Sequence, residues 1–212
     1  MTQMDIRTHG YGNLRFNSRT ATVITDPISE KITGYPRVKT DASIVLLSHK
    51  TFEYDLGGIT ENPMVISGPG EYEVKDVSIR GFLTKVTPEL TEKRTIYHMI
   101  IEDISVMYCG LLDTPLSDEM IGEFSDIDIL CIPVGGHSVL TPSKAHELIN
   151  KIEPRIVIPT HFKESSANKA LEMESIDAFI KEMGKDATPS EKKFTVKKST
   201  LPEELQIVIL EP

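Results

Sequence analysis

The chain has 212 residues, of which 39% are hydrophobic and 26% charged, with 13 glycines and 13 prolines. This composition excludes disordered, collagen-like and repeat proteins and suits one globular domain over residues 1–212 with a sizeable core. The 32 acidic residues outnumber the 23 basic ones, for a formal net charge of −9, which repels phosphate backbones and anionic lipid, so neither nucleic acid nor a membrane is expected as a partner.

In chain order, the first half reads as short strands. Residues 5–9, 13–17 and 20–25 form a meander with Gly10 and Gly12 in its first turn, and Asp26-Pro27 stops the third strand because proline cannot donate to a ladder. Residues 42–47 are a continuous apolar run, the pattern of a strand buried on both faces, ending in Ser48-His49. Further strands are expected at 64–67, 73–80, 96–101 and 104–108. Strands at 128–134 and 155–158 flank a helix, for which Thr141 is the N-cap and Pro142 the first helical residue. Its apolar stripe is Ala145, Leu148, Ile149 and Ile152, and Pro154 ends it. A second helix at 175–183 buries Ile176, Phe179 and Ile180 and closes on Gly184. Residues 205–210 form a last strand.

Cys109 and Cys131 sit in apolar runs and read as core thiols of a reducing compartment, without a disulfide framework. The segment Met1-Thr2-Gln3-Met4-Asp5 has no signal design, and no apolar run approaches the roughly 20 residues that span a bilayer, so a cytoplasmic location is expected. Lys192, Lys193, Lys197 and Lys198 read as a solvated face.

Three apolar strands end in a histidine: Leu47-Ser48-His49, Val134-Gly135-Gly136-His137 and Pro159-Thr160-His161. Ligand sites in sheet-and-helix folds lie at the carboxyl ends of strands, so these three point to one cleft. His9, His98 and His146 lack that context and read as structural or surface residues. No Gly-x-Ser-x-Gly elbow or Gly-x-x-x-x-Gly-Lys phosphate loop occurs. Cys109 could act as a nucleophile only with a base such as His49 in reach, and a buried strand cysteine is the favoured reading.

The segments Thr22-Val23-Ile24-Thr25-Asp26-Pro27, Ser67-Gly68-Pro69-Gly70-Glu71-Tyr72, Ile132-Pro133-Val134-Gly135-Gly136 and Pro154-Arg155-Ile156-Val157-Ile158-Pro159-Thr160-His161 carry a resemblance. Over residues 6–210 the chain resembles the metallo-β-lactamase superfamily, in the branch of L-ascorbate-6-phosphate lactonase and related Zn-dependent hydrolases. The resemblance implies an α+β fold, a four-layer αββα sandwich of two mixed β-sheets. Against the family signature His-x-His-x-Asp-His the chain has His49-Lys50-Thr51-Phe52-Glu53-Tyr54. Leu111 stands where the resemblance places a metal-bridging Asp, with Asp113 two residues later. A further family histidine is missing near Thr84-Lys85-Val86, and Tyr11 replaces another. By the resemblance, His49 would serve one metal, and Glu53 and His161 the other. Tyr11, Thr51, Tyr54 and His137 would line the cleft. Catalytic zinc takes three protein ligands and one open water position, so neither metal keeps its set.

The expectation is therefore a hydrolase-like protein whose binuclear zinc site is largely lost, a non-catalytic or binding member with no cofactor and a small molecule as the cleft's partner. The alternative is an active metal-dependent hydrolase of small phosphorylated esters, lactones or phosphodiesters, holding Zn or Mn at a remodelled mononuclear site of His49, Glu53, His161 and His137. A third reading pairs Glu53 and His161 as a metal-free acid and base.

Overall fold

The structure is a computed structural model that describes the chain except residues 1–2, 51, 61, 85–93, 125, 165–167, 169–170 and 185–188. Strands β1 (Met4–Thr8), β2 (Leu14–Asn17) and β3 (Thr22–Thr25) form the expected antiparallel meander. The single-turn helix α1 (Glu30–Thr33) and β4 (Thr40–Asp41) precede β5 (Ile44–Leu47), β6 (Ile59–Thr60) and β7 (Met64–Ser67), and β5 and β7 extend the meander in parallel. β8 (Gly70–Val74), β9 (Val77–Leu83), β10 (Thr95–Ile101) and β11 (Ile104–Tyr108) run antiparallel. After α2 (Asp118–Ile121) come β12 (Ile129–Pro133), α3 (Pro142–Ile152), β13 (Ile156–Thr160), α4 (Ile176–Met183), β14 (Phe194–Val196) and β15 (Gln206–Ile207). β12, β13 and β15 continue the second sheet in parallel with β11.

The sheets have six strands, ordered β14-β1-β2-β3-β5-β7, and seven, ordered β15-β13-β12-β11-β10-β9-β8. Their facing sides interlock in one core. Ile6, Phe16, Val23, Ile44 and Leu46 come from the first sheet; Ile79, Tyr97, Met99, Val106, Tyr108, Ile129 and Ile158 come from the second. The outer side of the second sheet carries Met107, Leu130, Ile132 and Val157, and these pack beneath Ala145, Leu148 and Ile149 of α3 and Phe179 and Met183 of α4. Buried on both faces, β12 and β13 have no polar side (Ile-Leu-Cys-Ile-Pro and Ile-Val-Ile-Pro-Thr). This is the two-sheet sandwich of the metallo-β-lactamase fold, with helical cover concentrated on one sheet among the described residues. Among those residues no helix is long and apolar enough to cross a membrane.

Local details match or amend the expectations. Thr141 Oγ1 accepts from Lys144 N at 3.4 Å, and Gly184 closes α4 at φ 59°. The strand expected at 73–80 is two strands. Lys75 and Asp76, at φ 48° and 63°, make a tight hairpin turn between β8 and β9, and neither residue announces a left-handed turn as Asn-Gly would. The closing strand at 205–210 pairs with β13 only over Gln206–Ile207; beyond it Val208 N still donates to Val157 O.

Both cysteines are free and buried, Cys109 in the outer cluster and Cys131 between the sheets. Lys193 and Lys198 pair with Asp5 and Asp128 at 3.4 and 2.6 Å. His98 bonds Ser105 Oγ at 2.8 Å, and His146 lies 3.7 Å from Glu182, joining α3 to α4.

Candidate functional site

The carboxyl ends of β3, β5, β11 and β13 meet at one edge of the sandwich, and Asp26 sits at the centre of that meeting. Its side chain is fully buried. Ser48 N donates to Oδ1 at 2.7 Å and Ser48 Oγ to Oδ2 at 2.5 Å. The Tyr108 hydroxyl is 2.7 Å from Oδ2 and 2.9 Å from Gly12 O. The Tyr54 hydroxyl is 3.1 Å from Oδ1 and 2.7 Å from His49 O, and it accepts from His49 N at 3.2 Å. Burial pushes the Asp26 carboxyl above the usual carboxylate range, while the bonds from Ser48, Tyr108 and Tyr54 pull it back. Each tyrosine has a second acceptor, so the cage stays satisfied whether Asp26 is charged or neutral. Burial and then the Asp26 charge raise both phenols, holding them as donors.

The cage ties the two sheets together. Tyr108 reaches across from β11, and Tyr97 of β10 does the same one strand over. Tyr97 donates to Leu47 O at 2.7 Å and accepts from Gly68 N at 3.1 Å. Close approach is possible only because of glycines: a Cβ on Gly110 would lie 2.3 Å from Ser48 Cβ, and one on Gly12 2.0 Å from His161 Cε1. The backbone is strained at the same place. Tyr11, Asp26 and His161 have φ of 61°, 37° and 54°, each costing about 1–3 kcal/mol that the surrounding packing must offset.

His161, at the end of β13, is 1% exposed. Its Nδ1 lies 2.9 Å from Thr160 Oγ1, and its Nε2 is buried with no hydrogen-bond partner. Burial, helped by the nearby Arg94 charge, holds the imidazole neutral with a pKa of about 3. Tyr11 O accepts from His161 N at 2.8 Å, and the two rings meet edge-on at 4.6 Å. Tyr11 also joins Tyr35, Leu111 and Val139 in an apolar cluster, with Phe52, Leu171 and Met173 packed against it.

The residues expected at the cleft fare differently. His49 and His161 are buried at strand ends, Tyr54 is in the hydrogen-bond network, Tyr11 is in the apolar cluster, and the His49 ring lies 5.1 Å from that of Phe52. Thr51 lies outside the described residues. Glu53 does not join them. Its carboxylate is 59% exposed and pairs with Lys31 at 3.3 Å, because its backbone O accepts from Ser29 N and the side chain turns to solvent. His137 also stays out: its side chain is 51% exposed, 3.8 Å from Glu172. Leu111 is buried in the apolar cluster.

Four residues of the site were not among the candidate site residues of the sequence. Asp26 was legible in kind, as an acid ending an apolar strand before a proline. Tyr108 was a polar tip in an apolar strand and so needed a partner. Asp113 was marked only as an acid two residues after the expected bridging position, and Arg94 gave no signal. Each side chain is 14% exposed, and Arg94 NH1 lies 2.8 Å from Asp113 Oδ2. The same nitrogen donates to Leu111 O and, at 3.0 Å, to Ser138 O.

A metal does not fit this donor set. Among the described residues no three His, Cys, Asp or Glu side chains gather to hold one. Asp26 is already engaged by three hydroxyls and an amide, Glu53 faces solvent, and Leu111 offers only its carbonyl, already taken by Arg94. The cavities bordering Asp26 and Tyr11 measure about 10 Å³ each, at the lower limit for one water. Outside, an open groove of about 900 Å³ passes Tyr54 between Lys31, Arg37 and Lys39 and Glu53 and Asp55.

With the geometry in place, residues 5–161 match the model of the beta-lactamase superfamily domain, and the chain belongs to that family. A UPF0173 protein from Pyrococcus abyssi is 30% identical over 105 residues, covering 50% of this chain and 47% of that one. A UPF0173 metal-dependent hydrolase from Lysinibacillus sphaericus is 26% identical over 133 residues, covering 58% of each chain. The matches thus span about half the length of these curated relatives. A Thermotoga maritima structure, provisionally described as a Zn-dependent hydrolase of the metallo-beta-lactamase superfamily, superposes with a TM-score of 0.82 at 25% identity, covering 98% of both chains.

Proposed function

We propose that this chain is a metal-free member of its family that serves as a binding or interaction module, with the strand-end cleft converted from a reaction site into a packed joint. One observation carries the reading: where ligands for two metals would converge, Tyr11, Leu111 and Val139 form an apolar cluster beside an Arg94–Asp113 ion pair. Catalytic zinc needs three protein ligands and an open position, and the cavities that border Asp26 and Tyr11 among the described residues, about 10 Å³ each, are too small for a substrate. A small ligand or a partner would instead meet the open groove beside Tyr54, whose mixed charges suit a polar, zwitterionic surface more than a polyanion.

A second reading keeps the metal. The relatives' designations favour it, and so does one atom: the buried, unpartnered His161 Nε2 is the kind of nitrogen a metal takes. Metal content separates the two readings. Tag-free protein incubated with Zn²⁺ or Mn²⁺ and dialysed should retain well under one equivalent by mass spectrometry. Near-stoichiometric metal that disappears in His161→Ala would overturn the metal-free reading and make esters, lactones and phosphodiesters the substrates to screen.

A further inference from the structure

We propose that the Arg94 guanidinium is a tethered cation that cross-links the strand ends of this cleft, the mechanical task a metal would perform there, with Asp113 as its counter-ion. Three observations place it in that role. First, one terminal nitrogen of Arg94 donates to two carbonyls on two different loops and lies 2.8 Å from Asp113 Oδ2, an ion pair without a hydrogen bond to that oxygen. Leu111 O and Asp113 Oδ2 lie in the loop after β11, and Ser138 O lies in the loop after β12. Second, the Arg94 backbone is held at the end of β5. His49 and Arg94 form an antiparallel bridge, Thr95 N donates to Ser48 O at 2.8 Å, and Arg94 O accepts from Thr84 N at 2.9 Å. One residue thus binds the ends of β5, β11 and β12. Third, the carboxylate that answers it is Asp113, shifted two residues from Leu111. The Leu111 side chain turns into the apolar cluster with Tyr11 and Val139, and its carbonyl turns to the guanidinium.

The chemistry suits the task. A guanidinium is charged at every working pH, is planar, and presents its N–H donors in fixed directions, so it holds two carbonyls and faces a carboxylate in one geometry that a flexible, freely rotating ammonium does not impose. Because it is covalently attached, the cleft needs no ion from solution to keep its loops in place. This inference rests on the metal-free reading but fails separately from it: metal retention would overturn that reading, whereas the melting series below tests Arg94 alone.

The experiment is thermal melting of the full chain as wild type, Arg94→Ala, Arg94→Lys, Asp113→Asn and the double variant Arg94→Ala/Asp113→Asn. Each protein is melted with 5–10 mM guanidinium chloride and with the same concentration of sodium chloride. Breaking a largely buried pair from either side should lower the midpoint by about 5–10 °C. The double variant should fall well short of the summed losses, because the two side chains act as one unit. Arg94→Lys should recover less than half of the loss. Guanidinium at this concentration, far below denaturing levels, should raise the Arg94→Ala midpoint and leave wild type and Asp113→Asn unmoved; a side chain that only fills space would show no such rescue. If Arg94→Ala does not fold, the Arg94→Lys and Asp113→Asn arms still decide. Midpoints within 1–2 °C of wild type for both, strict additivity in the double variant, or an Arg94→Ala loss that guanidinium does not touch would each overturn the proposal.

Discussion

His161 shows how far a single residue's environment can depart from what its name suggests. A histidine at a strand end reads as a ligand or a base, yet here the ring is buried against Tyr11 and Gly12 and kept neutral, with a pKa of about 3 against an ordinary 6.5. Burial is the main cause, and Arg94 adds to it. The shift has a direct consequence for stability. Between about pH 3 and 6.5 the unfolded chain binds a proton at this position that the native chain refuses, so stability rises with pH across the window and is lost as pH falls. For one group the slope approaches about 1.4 kcal/mol per pH unit. Asp26 pulls the opposite way, since a carboxyl raised by burial holds a proton in the native state that the unfolded chain has released. The two terms are separable by substitution. Urea unfolding at pH 7, 6, 5 and 4.5 should show wild type losing stability on acidification more steeply than His161→Gln, by about 1 kcal/mol per unit below pH 6. Parallel slopes would mean that the imidazole is not held neutral.

At the scale of elements, the hairpin between β8 and β9 makes a sharper test than the long helices. Lys75 and Asp76 both occupy left-handed backbone, φ 48° and 63°, a conformation that costs a side chain with a Cβ about 1 kcal/mol or more and costs glycine almost nothing. Asp76→Gly should therefore raise stability by about 0.5–1 kcal/mol even though it removes a charged, turn-favouring residue, and a thermal midpoint 1–4 °C higher would register it. A lower midpoint would show that the Asp76 side chain contributes more than its backbone strain costs.

The same hairpin marks where sequence reading loses resolution. Strands buried on both faces, such as β5, β12 and β13, were legible because nothing polar interrupts them, and the capped helix α3 was legible from Thr141 and Pro142. A turn made of Lys-Asp inside a run of alternating residues leaves no such mark. At the site, the strand-end histidines were visible; His49 and His161 are buried at their strand ends, while His137 faces solvent. What the sequence could not reveal was direction. Glu53 turns to solvent because of one backbone hydrogen bond to Ser29, and Arg94, far from any motif, turns inward because the loops after β11 and β12 offer it oxygens.

For the whole molecule, the decisive feature is that the second sheet's tyrosines satisfy the first sheet's polar groups. Tyr97 closes on Leu47 O and Gly68 N, and Tyr108 closes on Asp26 and Gly12 O. Neither sheet could separate from the other without leaving buried donors and acceptors unpaired, at about 1–3 kcal/mol each, in addition to exposing the shared apolar core. A sandwich joined in this way should not open sheet by sheet, and this prediction concerns cooperativity more than the size of the stability. The chain has six tyrosines and no tryptophan, and the hydroxyls of Tyr54, Tyr97 and Tyr108 lie at the junction, so tyrosine fluorescence is a local probe of it. In urea, the fluorescence transition should coincide with the loss of far-ultraviolet circular dichroism, which reports the strands and helices throughout. Tyr97→Phe and Tyr108→Phe should each move the shared midpoint lower by about 1–2 kcal/mol without splitting it, because each leaves partners at the junction with one bond fewer. A fluorescence transition that precedes the circular dichroism change in wild type would mean that the junction opens first and that each sheet stands without the other, the outcome that the shared core and crossing tyrosines argue against.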